Sequence, residues 1–265
     1  MKTVILAGGF GSRISEESHL RPKPMIEIGG RPILWHIMKA YAHHGFSDFV
    51  VCAGYKQDII KEYFSDFFLH HSDVTFDYRG GTLDMEVHNT TVEPWRVTVA
   101  DTGLFTNTAG RVLRARRYVG NERFMLTYGD GLSNVDPHEV IQTHIAAEAT
   151  VTLTGVVIGQ RFGVLDIDAN GRIRTFREKR DEDGAFVNGG FMVCEPTVFD
   201  AIERAGKNPD DEDFSRVSLE WLAKRGELAC HRHEGFWACM DTQRDRERLE
   251  QMWACGDAPW KVWDK

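Results

Sequence analysis

An apolar strand that empties directly into a glycine-rich turn constrains this chain more than any other feature. Thr3 to Ala7 is a short β-rich run, and Gly8-Gly9-Phe10-Gly11-Ser12-Arg13 follows at once. Gly8, Gly9 and Gly11 can take backbone angles that other residues resist, and without side chains they let main-chain N–H groups approach a ligand. Arg13 adds a rigid fork of donors that matches phosphate oxygens. The turn therefore suits a polyanion, although a tight strand-to-helix connection would use the same glycines. Further on, Arg21-Pro22-Lys23-Pro24-Met25 sets two more cations among prolines, which fix φ and restrict the residue before them, so Lys23 is presented with little freedom. Neither GxxxxGK[ST] nor GxGxxG matches the turn, which argues against a P-loop hydrolase and a dinucleotide-dependent dehydrogenase.

The first half alternates strand and helix signals. Pro32 opens a helix whose apolar positions Ile33, Leu34, Ile37, Met38 and Tyr41 recur at helical spacing until Gly45 stops it, and these side chains suit a core. Asp48 to Cys52 reads as a strand, Gln57 to Phe68 as a helix, and Val74 to Tyr78 as an alternating strand. This βαβαβ order predicts an α/β fold with a mainly parallel central sheet flanked by helices. Ligands of such sheets lie beyond the carboxyl ends of the strands, where the glycine turn sits and where Gly129-Asp130-Gly131 follows the apolar run Phe124 to Thr127. Asp136 and Pro137 start another helix with Glu139 in the capping-box position, so Asp136 has a structural task and Asp130 has none.

In the second half, Thr150 to Val157 is β-rich, and Gly163 to Ile167 with Arg172 to Phe176 reads as a hairpin around Asn170-Gly171. A strand at Phe191 to Cys194, a helix opening at Pro196, a solvated loop at Gly206 to Asp213 and a helix at Val217 to Ala223 follow. Leu228 to His233 is a strand, and Asp245 to Trp253 is a final amphipathic helix. The tail Ala258 to Trp263 is aromatic enough to expect packing on its own domain or on a neighbouring subunit.

A net charge of -8 gives no general electrostatic reason to bind nucleic acid or an anionic membrane, and Arg111, Arg114, Arg116 and Arg117 read as a solvated strand or turn face. The five cysteines form no CxxC pair and read as reduced thiols, and neither a signal peptide nor an apolar membrane span is evident, so we expect a cytoplasmic protein. His231 and His233 could share one strand face near Cys239, but a fourth zinc ligand is missing, and His43-His44 and His70-His71 fit exposed helix ends.

Asp130 and a second isolated aspartate, Asp241, stand with several phosphate-seeking cations. Two carboxylates fit a magnesium-bound nucleoside triphosphate, because hard Mg2+ takes oxygen ligands and usually only one or two protein carboxylates. The alternatives are a turn carboxylate for Asp130 and an N-cap for Asp241. Glu178-Lys179-Arg180 and Asn188-Gly189-Gly190-Phe191 could bind sugar hydroxyls and a sugar phosphate, or form a solvated strand end.

Taken in order, Gly8 to Arg13, Arg21 to Gly30, Pro32 to Met38, Tyr128 to Gly131, Glu178-Lys179, Asn188 to Phe191, and Gly235-Phe236-Trp237 with Met240-Asp241-Thr242 closely resemble the sugar-1-phosphate nucleotidylyltransferases. They look most like the members that join CTP to glucose 1-phosphate. The resemblance spans essentially the whole chain. It implies a Rossmann-like nucleotidyltransferase fold with a small β-rich sugar-binding appendage, as one domain over 1–265. Within it, 1–150 would be mainly the nucleotide half, 151–240 mainly the sugar-phosphate half, and 241–265 the last helix and tail.

By that resemblance, Leu6, Gly8, Gly9, Gly11, Ser12, Arg13, Lys23, Thr108, Ala109, Arg111, Tyr128 and Gly129 surround CTP. Arg13, Lys23, Asp130, Lys179 and Asp241 are the catalytic set, and Asp130 with Asp241 holds Mg2+. Glu178, Lys179, Asn188 and Gly189 meet the sugar phosphate. Self-association is also implied. Ser12, Ala109, Arg180, Cys239 and Gly159-Gln160 depart from the family pattern, mostly on the acceptor side, and bear on the acceptor's identity more than on the chemistry. Two rivals stay open: the same chemistry with another acceptor or nucleotide, and a sugar-nucleotide sensor that binds without turnover.

Overall fold

A computed structural model describes residues 1–11, 14, 17, 19–157, 164–167, 173–177 and 186–264. Thr3–Ala7 lies inside an eight-stranded mixed sheet, paired in parallel with Asp48–Ala53 on one side and Phe124–Tyr128 on the other. Arg96–Asp101 extends the parallel half from Asp48–Ala53. Met192–Cys194 joins Phe124–Tyr128 antiparallel and leads on to Val151–Val157, which also pairs with Phe186–Asn188 and Leu228–His233. Successive residues of the central strands serve opposite cores. Ile5, Val51 and Met125 enter the cluster on one face, whereas Val4, Val50 and Leu126 enter the cluster on the other. Both faces are covered, which is why these strands read as continuous apolar runs.

Several expectations need correction. The strand foreseen at Val74 to Tyr78 is Ser72–Asp77, and it pairs antiparallel with Asp84–Thr90 in a separate two-stranded sheet. Its alternating pattern can bury at most one face, so the more continuous Arg96–Asp101 takes the third parallel place. The arginine cluster sits on the helix Thr108–Val119 and not on a strand or turn, with Arg111 buried. Gly206 to Asp213 is no free loop. It contains the 3-10 turn Pro209–Asp211, tied to that helix by a two-pronged Arg114–Asp210 ion pair at 2.7 and 2.8 Å. The next helix starts as a π-turn, Phe214–Leu219, before Glu220–Ala223. Asp136 does cap Pro137–Ala147, accepting from the His138 N–H, but the reciprocal capping box occurs at Thr242 and Asp245 before Gln243–Ala254.

The arms of the expected hairpin, Val164–Ile167 and Ile173–Arg177, pair antiparallel, and the Asn170-Gly171 turn lies outside the described residues. All five cysteines are free thiols. Among the described residues no helix is long and apolar enough to cross a membrane.

The aromatic tail packs on its own chain. Trp260 is fully buried and donates its indole N–H to His36 Nδ1 at 3.4 Å, with the Trp253 and Trp263 rings also against His36. The other imidazole nitrogen, Nε2, donates to the Ile28 carbonyl at 2.8 Å. An indole N–H only donates and a carbonyl only accepts, so this environment fits neutral His36 alone. Burial is the main reason its pKa drops from 6.5 to about 4. Below pH 6.5 the unfolded chain gains a proton that the folded chain refuses, so stability should fall as pH drops from about 6.5 to about 4. The loss attributable to His36 is at most roughly 3 kcal/mol. Urea unfolding across this window should show a shallower decline in His36→Gln, and an unchanged slope would remove His36 from the titration.

Candidate active site

The parallel register sets the turns after two adjacent strands side by side. Leu6 pairs with Tyr128, and the Gly129 N–H donates to the Leu6 carbonyl at 2.9 Å, so the glycine turn and Asp130 share one end of the sheet. A Cβ on Gly129 would fall 2.8 Å from that carbonyl and 3.1 Å from Pro24, which is why this crossing uses glycine. A cleft of about 580 Å³ opens there. Its wall includes Leu6, Gly8, Gly9, Gly11, Lys23, Thr108, Arg111, Tyr128, Gly129 and Asp130 from the sequence-derived set.

Asp241 arrives by a different route. Trp237–Cys239 pairs antiparallel with Gly131–Ser133, with Cys239 opposite Gly131, and the Met240 N–H donates to the Asp130 carbonyl at 2.9 Å. The two aspartates are thereby fixed as neighbours although 111 positions separate them, 241 minus 130. Lys23, in the 3-10 turn Lys23–Met25 between buried and ring-constrained neighbours, places Nζ 2.6 Å from Asp130 Oδ2 and 2.6 Å from Asp241 Oδ1. Burial is the largest single influence and pulls the Lys23 pKa down. The combined attraction and hydrogen bonding of the two carboxylates outweigh it, and the ammonium ends above its usual range. Burial, followed by the same two carboxylates, pushes Cys239 up to about 12, so this thiol stays protonated. Thr242 caps the following helix, which excludes the N-cap alternative for Asp241.

Arg111 lines the cleft, but its fork is already occupied. Nη1 donates to Thr102 Oγ1 and the Gly103 carbonyl, both at 2.8 Å, and to the Ala53 carbonyl at 3.3 Å. Nη2 donates to the carbonyls of Gly8 at 2.9 Å and Leu104 at 3.4 Å. The guanidinium pins the ends of three segments together, and burial holds its pKa below the usual arginine value. Gly8 is required by the same contact, since a Cβ there would lie 2.1 Å from Arg111 Nη1. Thr108 is likewise engaged: its hydroxyl donates to Asp213 and accepts from the Phe214 N–H. Ala109 is fully buried, with its N–H on the Glu212 carbonyl, and is not part of the wall.

Tyr128 extends the site toward the second half of the chain. Its hydroxyl lies 2.6 Å from Ser215 Oγ, to which Asn188 Nδ2 donates at 3.3 Å. Gly189 offers its carbonyl to the Trp237 indole N–H at 2.8 Å. Neither Asn188 nor Gly189 is in the wall of this cleft; Asn188 connects to it through Ser215 and Tyr128. Ser12, Arg13, Glu178, Lys179 and Arg180 lie outside the described residues.

Sequence reasoning missed Ser215, Asp210, Asp211, Phe10 and Phe105. Asp210 and Asp211 line the cleft, and Phe10 and Phe105 stand at its mouth with ring centroids 6.0 Å apart. Phe105 is 82% exposed, an unusual position for a bare phenyl ring. The one available signal was Phe10, a large apolar residue inside a glycine turn.

A family model described as nucleotidyl transferase matches residues 2–244. The chain is 50% identical over 265 residues to a glucose-1-phosphate cytidylyltransferase of Salmonella typhi, covering 100% of both proteins. It is 50% identical over 265 residues, again covering 100% of both, to the protein of the same name from Salmonella typhimurium. Among solved structures, HddC from Yersinia pseudotuberculosis complexed with GMP-PN aligns with a TM-score of 0.66 at 22% identity, covering 95% of this chain and 99% of that one, a likeness of fold.

If Arg111 is the reason for glycine at position 8, the two residues should be energetically coupled. In a double-mutant cycle measured by urea unfolding, Gly8→Ala should destabilise the parent more than it destabilises an Arg111→Ala background, by at least about 1 kcal/mol. Arg111→Lys should itself destabilise the parent, because one ammonium cannot span both sets of acceptors. Additive effects would sever the link.

Proposed function

The chain belongs to the nucleotidyl transferase family, and within it we propose that this protein transfers a cytidylyl group from CTP to α-D-glucose 1-phosphate, giving CDP-glucose and pyrophosphate. The observation that carries this reading is the Lys23 ammonium held 2.6 Å from both Asp130 and Asp241 at the end of the cleft. Full-length identity to cytidylyltransferases supports the choice of CTP and glucose 1-phosphate. In this reading residues 1–150 mainly bind the nucleotide and 151–240 mainly bind the sugar phosphate.

The acceptor phosphate is already an anionic nucleophile, so no protein nucleophile is needed. One of its oxygens bonds to the α-phosphorus as the bond to the pyrophosphate oxygen breaks, and the electron pair leaves with pyrophosphate. In-line displacement inverts the α-phosphorus. The obstacle is repulsion between two anions. Lys23, charged throughout the physiological range, counters it and stabilises charge that grows on the α-phosphate oxygens. Arg13 adds a phosphate contact, and Lys179 meets the acceptor phosphate while Glu178 and Asn188 meet sugar hydroxyls. Tyr128 and Ser215 hold Asn188 in place. Phe10 and Phe105 offer ring faces to the base at the cleft mouth.

Asp130 and Asp241 fit a magnesium ion: both offer hard oxygens, and their focus already holds one cation, the Lys23 ammonium. When bound there, Mg2+ supplies further charge neutralisation to the phosphates. Lys23 keeps the two carboxylates together, Asp130 in the cleft wall and Asp241 beside it.

Pyrophosphate release should be measured with each of four nucleoside triphosphates and a panel of sugar 1-phosphates. CTP with glucose 1-phosphate should give the highest kcat/KM, and a different preferred pair would replace the proposed substrates. Asp130→Asn and Asp241→Asn should each reduce kcat by at least about 100-fold, and parental rates in both at equal Mg2+ would remove them from the reaction. Ser215→Ala should raise KM for the sugar phosphate several-fold, by an order set by one lost hydrogen bond, while KM for CTP stays put. A rise in KM for CTP instead would place Ser215 on the nucleotide side.

A further inference from the structure

Three metal-ligating side chains meet where the helix Ile33–His43 ends and the helix Pro137–Ala147 begins. Among the described residues, His44, Asp136 and His138 are the one group of three His, Cys, Asp or Glu whose ligand atoms all lie within 4.8 Å of one another. None of the three lines the nucleotide cleft. We propose that His44, Asp136 and His138 form a second cation site that takes a borderline divalent ion, Zn2+ by preference, and clamps the two helices together.

The geometry is close to what such an ion needs. His44 Nδ1 and Asp136 Oδ1 are 3.4 Å apart. That matches the edge of a tetrahedron with metal–ligand bonds of about 2.1 Å. Asp136 is held in place by accepting the His138 N–H at 2.8 Å. The His138 ring already reaches across to the other helix, with Nε2 3.0 Å from the His44 carbonyl oxygen. His138 is exposed, so rotation of its side chain can close the remaining gap.

Ligand softness separates this site from the catalytic one. Two imidazoles and one carboxylate suit zinc, nickel or copper, whereas Asp130 and Asp241 offer only the oxygens that magnesium favours. With three protein ligands, one position stays open to water. Asp136 follows Asp130 by six residues through the Gly131–Ser133 strand, whose partner strand leads to Asp241. An ion at the helix junction would therefore stiffen the segment leading away from the catalytic carboxylates.

Co2+, a visible-absorbing substitute for Zn2+, provides the test. The full chain is titrated with Co2+ in excess Mg2+, which occupies the carboxylate pair. One equivalent should bind with d–d bands of an imidazole-ligated, low-coordinate ion. Loss of an outer-shell partner weakens metal binding by about 10- to 100-fold, and loss of a direct ligand should cost at least that lower figure. Accordingly, His138→Ala should weaken Co2+ binding at least tenfold while Mg2+-supported turnover stays at the parental rate. His231→Ala should leave the Co2+ titration unchanged. Absence of the bands in the parent, or bands of equal affinity in His138→Ala, would overturn the site.

Discussion

The parallel pairing of Thr3–Ala7 with Phe124–Tyr128 is the constraint on which the rest of the structure depends. Both strands are buried on both faces, so neither can slip by one residue without exchanging the contents of two cores. That locked register puts Gly8 and Asp130 at the same end of the sheet. It also makes the Gly129 N–H and the Leu6 carbonyl partners, which seals the floor of the cleft. Every other group at the site is positioned relative to this pair of strand ends.

Charge at the site is partly neutralised before any ligand arrives, two carboxylates sharing one ammonium. Two partly buried carboxylates this close would repel each other, and Lys23 resolves the conflict by bonding to both. The same ammonium is anchored by a turn in which Pro24 and Met25 are buried, so its position depends on backbone packing as well as on charge. Arg111 presents the opposite solution. Among the described residues its hydrogen bonds go only to neutral oxygens, so this cation serves as a brace for the glycine turn and adds positive potential behind it. One cation bridges two carboxylates and the other holds the cleft wall.

Much of this was legible in the residues. The helical spacing from Ile33 to Tyr41, the apolar runs of the parallel strands and the isolation of Asp130 and Asp241 all follow from local patterns. Ser72–Asp77 misled because periodicity shows how many faces a strand can bury, whereas its place depends on which other strand competes for the edge. Ser215 and Asp210 were invisible for a related reason. Each acts by meeting a residue far away in the chain, Tyr128 and Arg114, and nothing in their own neighbourhoods marks them.

By itself, then, the sequence determined the residue types and local geometry: a buried strand feeding a glycine turn, a lysine stiffened by prolines, and two isolated aspartates. Tertiary structure alone decided that Lys23 bonds to both aspartates, that Gly8 yields to Arg111, and that Trp260 closes over His36. The physical reason is range. Propensity, capping and periodicity act over a few neighbouring residues, whereas these contacts are chosen by sheet register and by the packing of two cores, which no local window contains.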